Sequence, residues 1–126
     1  MHLRITAHSR PLGSTSLNFQ FNAYTKELNV KVAFIGTGSM GGSMSRNLAA
    51  AGIDITVFDL NTESMQKPIA AGAKAATSGV DCVTGADVLI TMLPTPQAIE
   101  GCMIAGGVAA AMKPGSMWID MSTSVP

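Results

Sequence analysis

The sequence predicts an α/β fold, a doubly wound parallel sheet of about five strands, and three observations predict it. A nearly unbroken apolar run, "VKVAFIG" (Val30–Gly36), has the composition of a strand buried on both faces. Further runs of strand length, "IDITVFD", "DVLITML" and "SMWIDMS", alternate with helical patterns across short connections marked by Gly and Pro. Composition agrees: of 126 residues 47% are hydrophobic and 13% charged, which fits one packed domain and excludes a disordered chain. Such alternation implies right-handed crossovers and places a ligand beyond the carboxyl ends of the strands, where strand order reverses.

Residues 1–29 differ from the remainder. They show no sustained period, no apolar signal-peptide core and no acidic residue before Glu27. We expect a poorly ordered extension there, with His2 and His8, the only histidines, solvated and idle. Arg4, Arg10 and the serines give a faint likeness to a transit peptide, so the expected location is cytoplasmic, with an organelle matrix as the alternative.

From residue 30 to 126 one domain is expected. After the first strand, Met40, Met44, Leu48 and Ala51 recur at helical spacing, and Gly52 stands where a left-handed cap falls, giving a helix over Ser39–Ala51. "IDITVFD" alternates and ends in Asp59 as the second strand. "NTESMQKPIAAGA" reads as a short helix capped by Asn61 or Thr62, with Pro68 expected to end or kink it. "AKAATS" is a short third strand, "GVDCVTGA" a helical turn and "DVLITML" the fourth strand. "PTPQAIEGCMI" and "GGVAAAMKPG" are helical pieces separated at Gly106 and Gly107, and "SMWIDMS" is the fifth strand. Lys113 is expected as a solvated helix-end cation, and most of the nine methionines as pliable core.

Eight basic and eight acidic residues cancel, so no electrostatic footprint points to nucleic acid or an anionic membrane. No apolar run approaches the roughly 20 residues of a membrane span. Cys82 and Cys102 form no CxxC and have no histidine nearby, so we expect two reduced thiols and no metal site.

The chemistry gathers at the first strand's end. Gly36, Gly38 and Gly41 form G-x-G-x-x-G between a strand and a helix, the context in which the pattern carries meaning. Gly36 permits the tight turn, Gly38 lets a diphosphate approach the backbone, and Gly41 lets helix and strand pack closely. The helix N-terminus adds unpaired N–H groups and partial positive charge. Asp59, eighteen positions after Gly41, ends the second strand where an adenosine ribose would sit. Its carboxylate can accept from ribose hydroxyls and would repel the extra phosphate of NADP, so NAD is favoured as cofactor over NADP.

"FIGTGSMGGSMSRNLAAAG" resembles the extended glycine signature of the β-hydroxyacid dehydrogenases, which include 3-hydroxyisobutyrate dehydrogenase, tartronate semialdehyde reductase and, more distantly, 6-phosphogluconate dehydrogenase. Met40, Gly41, Met44 and Asn47 belong to that signature, whereas Thr37 departs from the family's usual Leu. "ADVLITMLPTPQAIE" and "KPGSMWIDMSTSVP" resemble two later blocks of the family in order and spacing. The resemblance implies a Rossmann-type domain and a cofactor site made by the loop residues Gly36, Thr37, Gly38, Ser39, Met40 and Gly41 with Asp59. It adds Leu93 and Pro94 after the fourth strand and Thr123 on the nicotinamide side.

In the family, the proton acceptor is a lysine of a second, all-helical domain. Lys26, Lys31, Lys67, Lys74 and Lys113 match no such motif. We therefore expect a truncated amino-terminal cofactor half, lacking that helical domain and holding no catalytic residue. It would bind nicotinamide dinucleotide without turnover, and a short hydroxyacid such as 3-hydroxyisobutyrate would be a substrate only of a full-length form. The uncovered sheet surface predicts self-association. A non-catalytic dinucleotide-binding module or a pseudogene fragment is the alternative; Asp120 reads as a hydrogen-bonding residue at a strand end rather than a base.

Overall fold

The computed structural model describes residues 4–5 and 29–122. Six strands form one sheet: β1 (Arg4–Ile5), β2 (Lys31–Ile35), β3 (Asp54–Phe58), β4 (Lys74–Ala75), β5 (Val88–Thr91) and β6 (Met117–Asp120), in the order β1-β6-β5-β2-β3-β4. The five strands from β2 onward are parallel, with Ile35 level with Phe58 on one side and with Thr91 on the other. The order reverses between β2 and β5, which is the switch point of a doubly wound sheet.

β1 was not expected. Arg4 and Ile5 pair antiparallel with Asp120 and Ile119, so they line the β6 edge and the sheet gains a sixth strand. Two residues are too few to show a sequence period, so an edge strand of this length has no local signal. Residues 6–28, also read as poorly ordered, and Thr123 lie outside the described residues.

The apolar run of β2 is buried as its composition requires, and the pleat divides it between two cores. Val32 and Phe34 pack with Leu48 and Ala49 of helix α1 (Ser39–Ala50) and with Ile55 and Val57 of β3. Ala33 and Ile35 face the opposite layer, with Leu89 of β5 and with Cys82 and Val83 of helix α3 (Gly79–Val83). α1 ends as predicted: Ala51 is the C-cap and Gly52 takes φ +86°, its N–H donating to the Ala49 carbonyl.

Pro68 neither ends nor kinks a helix. A 3-10 turn (Thr62–Met65), capped by the Asn61 side chain, hands over to α2 (Gln66–Ala70), so Pro68 falls in the first turn of α2, where a missing N–H is harmless. The third strand is only Lys74–Ala75. Beyond β5, Thr95 caps α4 (Pro96–Glu100), whose continuation is a π turn (Gly101–Ala105) closed by the Gly106 N–H on the Gly101 carbonyl. Gly107, at φ +77°, then opens α5 (Val108–Ala111). Lys113 is not a free helix-end cation; it pairs with Asp87 at the amino end of β5. Asp87 also accepts the Lys31 N–H at 2.9 Å, and the two partners, Lys113 first, hold its carboxyl below the usual 3.8. Among the described residues no helix is long and apolar enough to cross a membrane.

Candidate functional site

A cleft of about 890 Å³ opens at the carboxyl ends of β2, β3 and β5, over the switch point. Its floor is the glycine loop, with Gly36, Gly38, Ser39, Met40 and Gly41 all lining it. Asp59 and Leu60 form one wall and Leu93 and Pro94 the other. Gly101, Cys102 and Gly106 of the π turn close the side beneath α5. Thr37 is the exception among the loop residues. Its side chain is buried, 2% exposed, and does not line the cleft.

Two of the three glycines have a geometric reason, and the third does not. Gly36 takes φ +100°, and a Cβ there would stand 2.2 Å from the Met92 carbonyl oxygen. A Cβ on Gly41 would stand 1.9 Å from the Gly36 carbonyl oxygen and 3.3 Å from the Phe34 ring, because strand and helix cross there. Gly38 is unlike both: φ is −63°, and its Cβ would meet nothing within 4 Å among the described residues. Neither its backbone nor any described neighbour requires glycine at 38, and the open space above it belongs to the cleft. Gly38 is also the N-cap of α1, with no side-chain cap and no acidic residue in the first turn, so the helix presents its first N–H groups uncovered. A diphosphate fits this cradle in both charge and room.

Asp59 does two jobs. Its Oδ2 accepts the Thr37 N–H at 2.8 Å and its Oδ1 the Asn61 N–H at 2.8 Å. A carboxylate offers roughly four acceptor positions, so about two remain for hydroxyls in the cleft. No lysine, arginine or histidine among the described residues lines the cleft. Among those residues Asp59 is its one carboxylate.

The opposite wall is braced from beneath by a chain of polar side chains. Trp118 Nε1 donates to Thr91 Oγ1 at 3.0 Å, and Thr91 donates to Asp120 Oδ1 at 3.1 Å. The same oxygen accepts from Ser122 Oγ at 2.6 Å, and Ser122 Oγ accepts the Leu93 N–H at 2.9 Å. Asp120 is thus a strand-end hydrogen-bonding residue that fixes the loop carrying Leu93 and Pro94. Thr91 and Ser122 were not singled out from sequence, since their pairing depends on β5 lying beside β6.

The thiols differ by burial. Cys82 is buried and its thiol is pushed up to about 12, chiefly by desolvation, while its Sγ lies 3.3 Å from the Thr56 carbonyl oxygen. Cys102 is half-buried in the cleft wall and is also raised by desolvation. Both are free thiols.

Residues 31–126 match the family described as the NAD binding domain of 6-phosphogluconate dehydrogenase. An NAD-dependent L-serine dehydrogenase of Pseudomonas aeruginosa is 44% identical over 97 residues, 76% of this chain and 33% of that protein. The structure of Mycobacterium tuberculosis 3-hydroxyisobutyrate dehydrogenase with L-serine superposes at a TM-score of 0.71 with 38% identity, over 75% of this chain and 32% of the other. Psf3, solved with NADP+ and 2-OPP, superposes at 0.67 with 29% identity, over 73% and 33%. The chain spans about a third of the length of these relatives. With its glycine loop, switch-point cleft and strand-end acid in place, the chain belongs to the family of the NAD-binding domain of 6-phosphogluconate dehydrogenase, among the NAD(P)-dependent hydroxyacid dehydrogenases.

Proposed function

We propose that this chain is the cofactor-holding part of a dehydrogenase of short β-hydroxyacids and that it prefers NAD to NADP. The observation that carries the reading is Gly38, a glycine that no described neighbour requires, at the uncapped start of α1 and within the cleft that Asp59 also lines. The N–H groups of Ser39, Met40 and Gly41 would hold the diphosphate, and Asp59 would accept from the adenosine ribose. A cleft whose described lining holds one carboxylate and no cation suits a free 2′-hydroxyl better than a 2′-phosphate. Leu93 and Pro94 are assigned to the cofactor site as cleft-lining residues, and Thr123 to its nicotinamide side.

Bound NAD supplies a hydride acceptor for the carbinol carbon of the substrate. The hydroxyl proton needs an acceptor within hydrogen-bond reach, and Asp59 is committed to the ribose. We assign the base to a segment outside this chain, so the chain by itself binds without turnover. Calorimetry with NAD and a 3-hydroxyisobutyrate oxidation assay test both halves. Heat of binding without NADH formation is expected. No heat at millimolar NAD removes the cofactor assignment, and sustained NADH formation removes the assignment of the base.

A further inference from the structure

The nicotinamide-dinucleotide reading leaves Thr37 unexplained. It sits between two glycines of the loop, yet its side chain turns away from the cleft and is buried. Its hydroxyl lies 2.9 Å from Ser64 Oγ. Ser64 Oγ donates to the Asn61 carbonyl at 2.7 Å. A serine hydroxyl carries one proton, so Thr37 must be the donor to Ser64. The bonds then close a ring. Thr37 N–H and Asn61 N–H both donate to Asp59, Thr37 O–H donates to Ser64, and Ser64 O–H donates to the carbonyl of Asn61.

This ring joins two segments from different crossovers, the glycine loop after β2 and the turn after β3, and the carboxylate of Asp59 is one of its links. Both carboxylate oxygens are occupied from the protein side, which fixes the plane of the group and the direction of its remaining acceptor positions. We propose that Thr37 and Ser64 are positioning residues for the cofactor, a hydroxyl pair that aims Asp59 at the ribose and so sets the preference for NAD over NADP. The proposal rests on the dinucleotide reading above. It also gives a reason for threonine at a position where an apolar residue would fill the same buried space, because only a hydroxyl can reach Ser64.

The test measures NAD and NADP affinity by calorimetry for the full chain and for Thr37→Val, Ser64→Ala, the double variant and Thr37→Ser, with melting temperatures alongside. Thr37→Val and Ser64→Ala are each expected to weaken NAD binding roughly three- to tenfold, the consequence of one Asp59–ribose hydrogen bond that a misaimed carboxylate no longer makes. NADP affinity is expected to stay within twofold, since the 2′-phosphate gains nothing from a well-aimed carboxylate. The double variant should be no worse than the more damaged single one. Thr37→Ser, which restores the hydroxyl, should recover NAD affinity. Ser64 is only half-buried, so Ser64→Ala carries the test should Thr37→Val fail to fold. Equal losses for NAD and NADP, or no loss for either, would overturn the positioning role while leaving the dinucleotide site intact. Absence of NAD binding by the unsubstituted chain would overturn both.

Discussion

Gly38→Ala separates a glycine kept for a ligand from a glycine kept for the fold. The added methyl group meets no atom of the described residues within 4 Å, and φ of −63° is open to any residue. Replacing Gly by Ala lowers the entropy of the unfolded chain, worth roughly 0.4–1 kcal/mol in favour of folding. Ala is a poorer N-cap than Gly by a similar amount. The two effects offset, and the melting temperature should stay within about 4 °C of the parent's, given some 4–8 °C per kcal/mol for a domain of this size. Binding should behave differently. The methyl projects into the space where a diphosphate must approach the amides of α1, and charge-assisted hydrogen bonds of that kind are worth roughly 1.5–3 kcal/mol each. Loss of one is about a 10- to 100-fold rise in Kd for NAD. Gly41→Ala is the control: its Cβ falls 1.9 Å from a backbone oxygen, and overpacking against backbone costs roughly 1–3 kcal/mol, so that variant should lose melting temperature. Differential scanning fluorimetry and calorimetry on both variants decide the matter. A Gly38→Ala chain that binds NAD with unchanged Kd would show that nothing approaches the loop, and the site would have to be sought elsewhere.

Three further outcomes are expected. Asp59→Asn is not a clean cofactor switch: the amide oxygen can replace one carboxylate acceptor, but its NH2 then faces the N–H of Thr37 or Asn61, so melting temperature should fall and NAD affinity should drop at least tenfold. An unchanged melting temperature with gained NADP affinity would show that the two backbone bonds are unimportant. Maleimide at about pH 8 should label Cys102 and spare the buried Cys82, with NAD slowing the reaction because Cys102 lines the cleft; mass spectrometry that finds Cys82 modified first would contradict the burial argument. Asp87 is depressed in the folded chain, so its contribution is present above its unfolded value of 3.8 and is lost as pH falls through the lower folded value. Asp87→Asn should cost up to about 1 kcal/mol at neutral pH, and the gap between the two melting curves should close under acid conditions; a gap that persists there would rule out the Lys113 pair as its source.

Much of the fold was legible because its signals are local. The β2 and β5 runs are nearly continuously apolar and buried on both faces, and the Ser39–Ala50 helix, with Gly52 behind it, buries one face whose period is written in neighbouring residues. The short elements were read less well. Lys74–Ala75 is too brief for a period, and the π turn at Gly101–Ala105 depends on Gly106, whose Cβ would stand 2.7 Å from the Cys102 carbonyl oxygen. Pro68 was misread because its effect depends on where α2 begins, and that is set by the 3-10 turn before it.

The site divides in the same way. Sequence alone determined that a glycine loop joins a strand to a helix and that an acid ends the next strand, because the spacing of one βαβ unit leaves those residues few places to go. Tertiary structure decided that Gly36 and Gly41 are held to glycine by close backbone neighbours while Gly38 meets none among the described residues, that Thr37 turns inward to Ser64, and that Asp59 is held by two backbone amides. Apart from the local Asn61–Asp59 bond, the deciding hydrogen bonds join residues 22 and 27 positions apart, and a hydrogen bond across such a gap exists only once the sheet has brought its strands side by side.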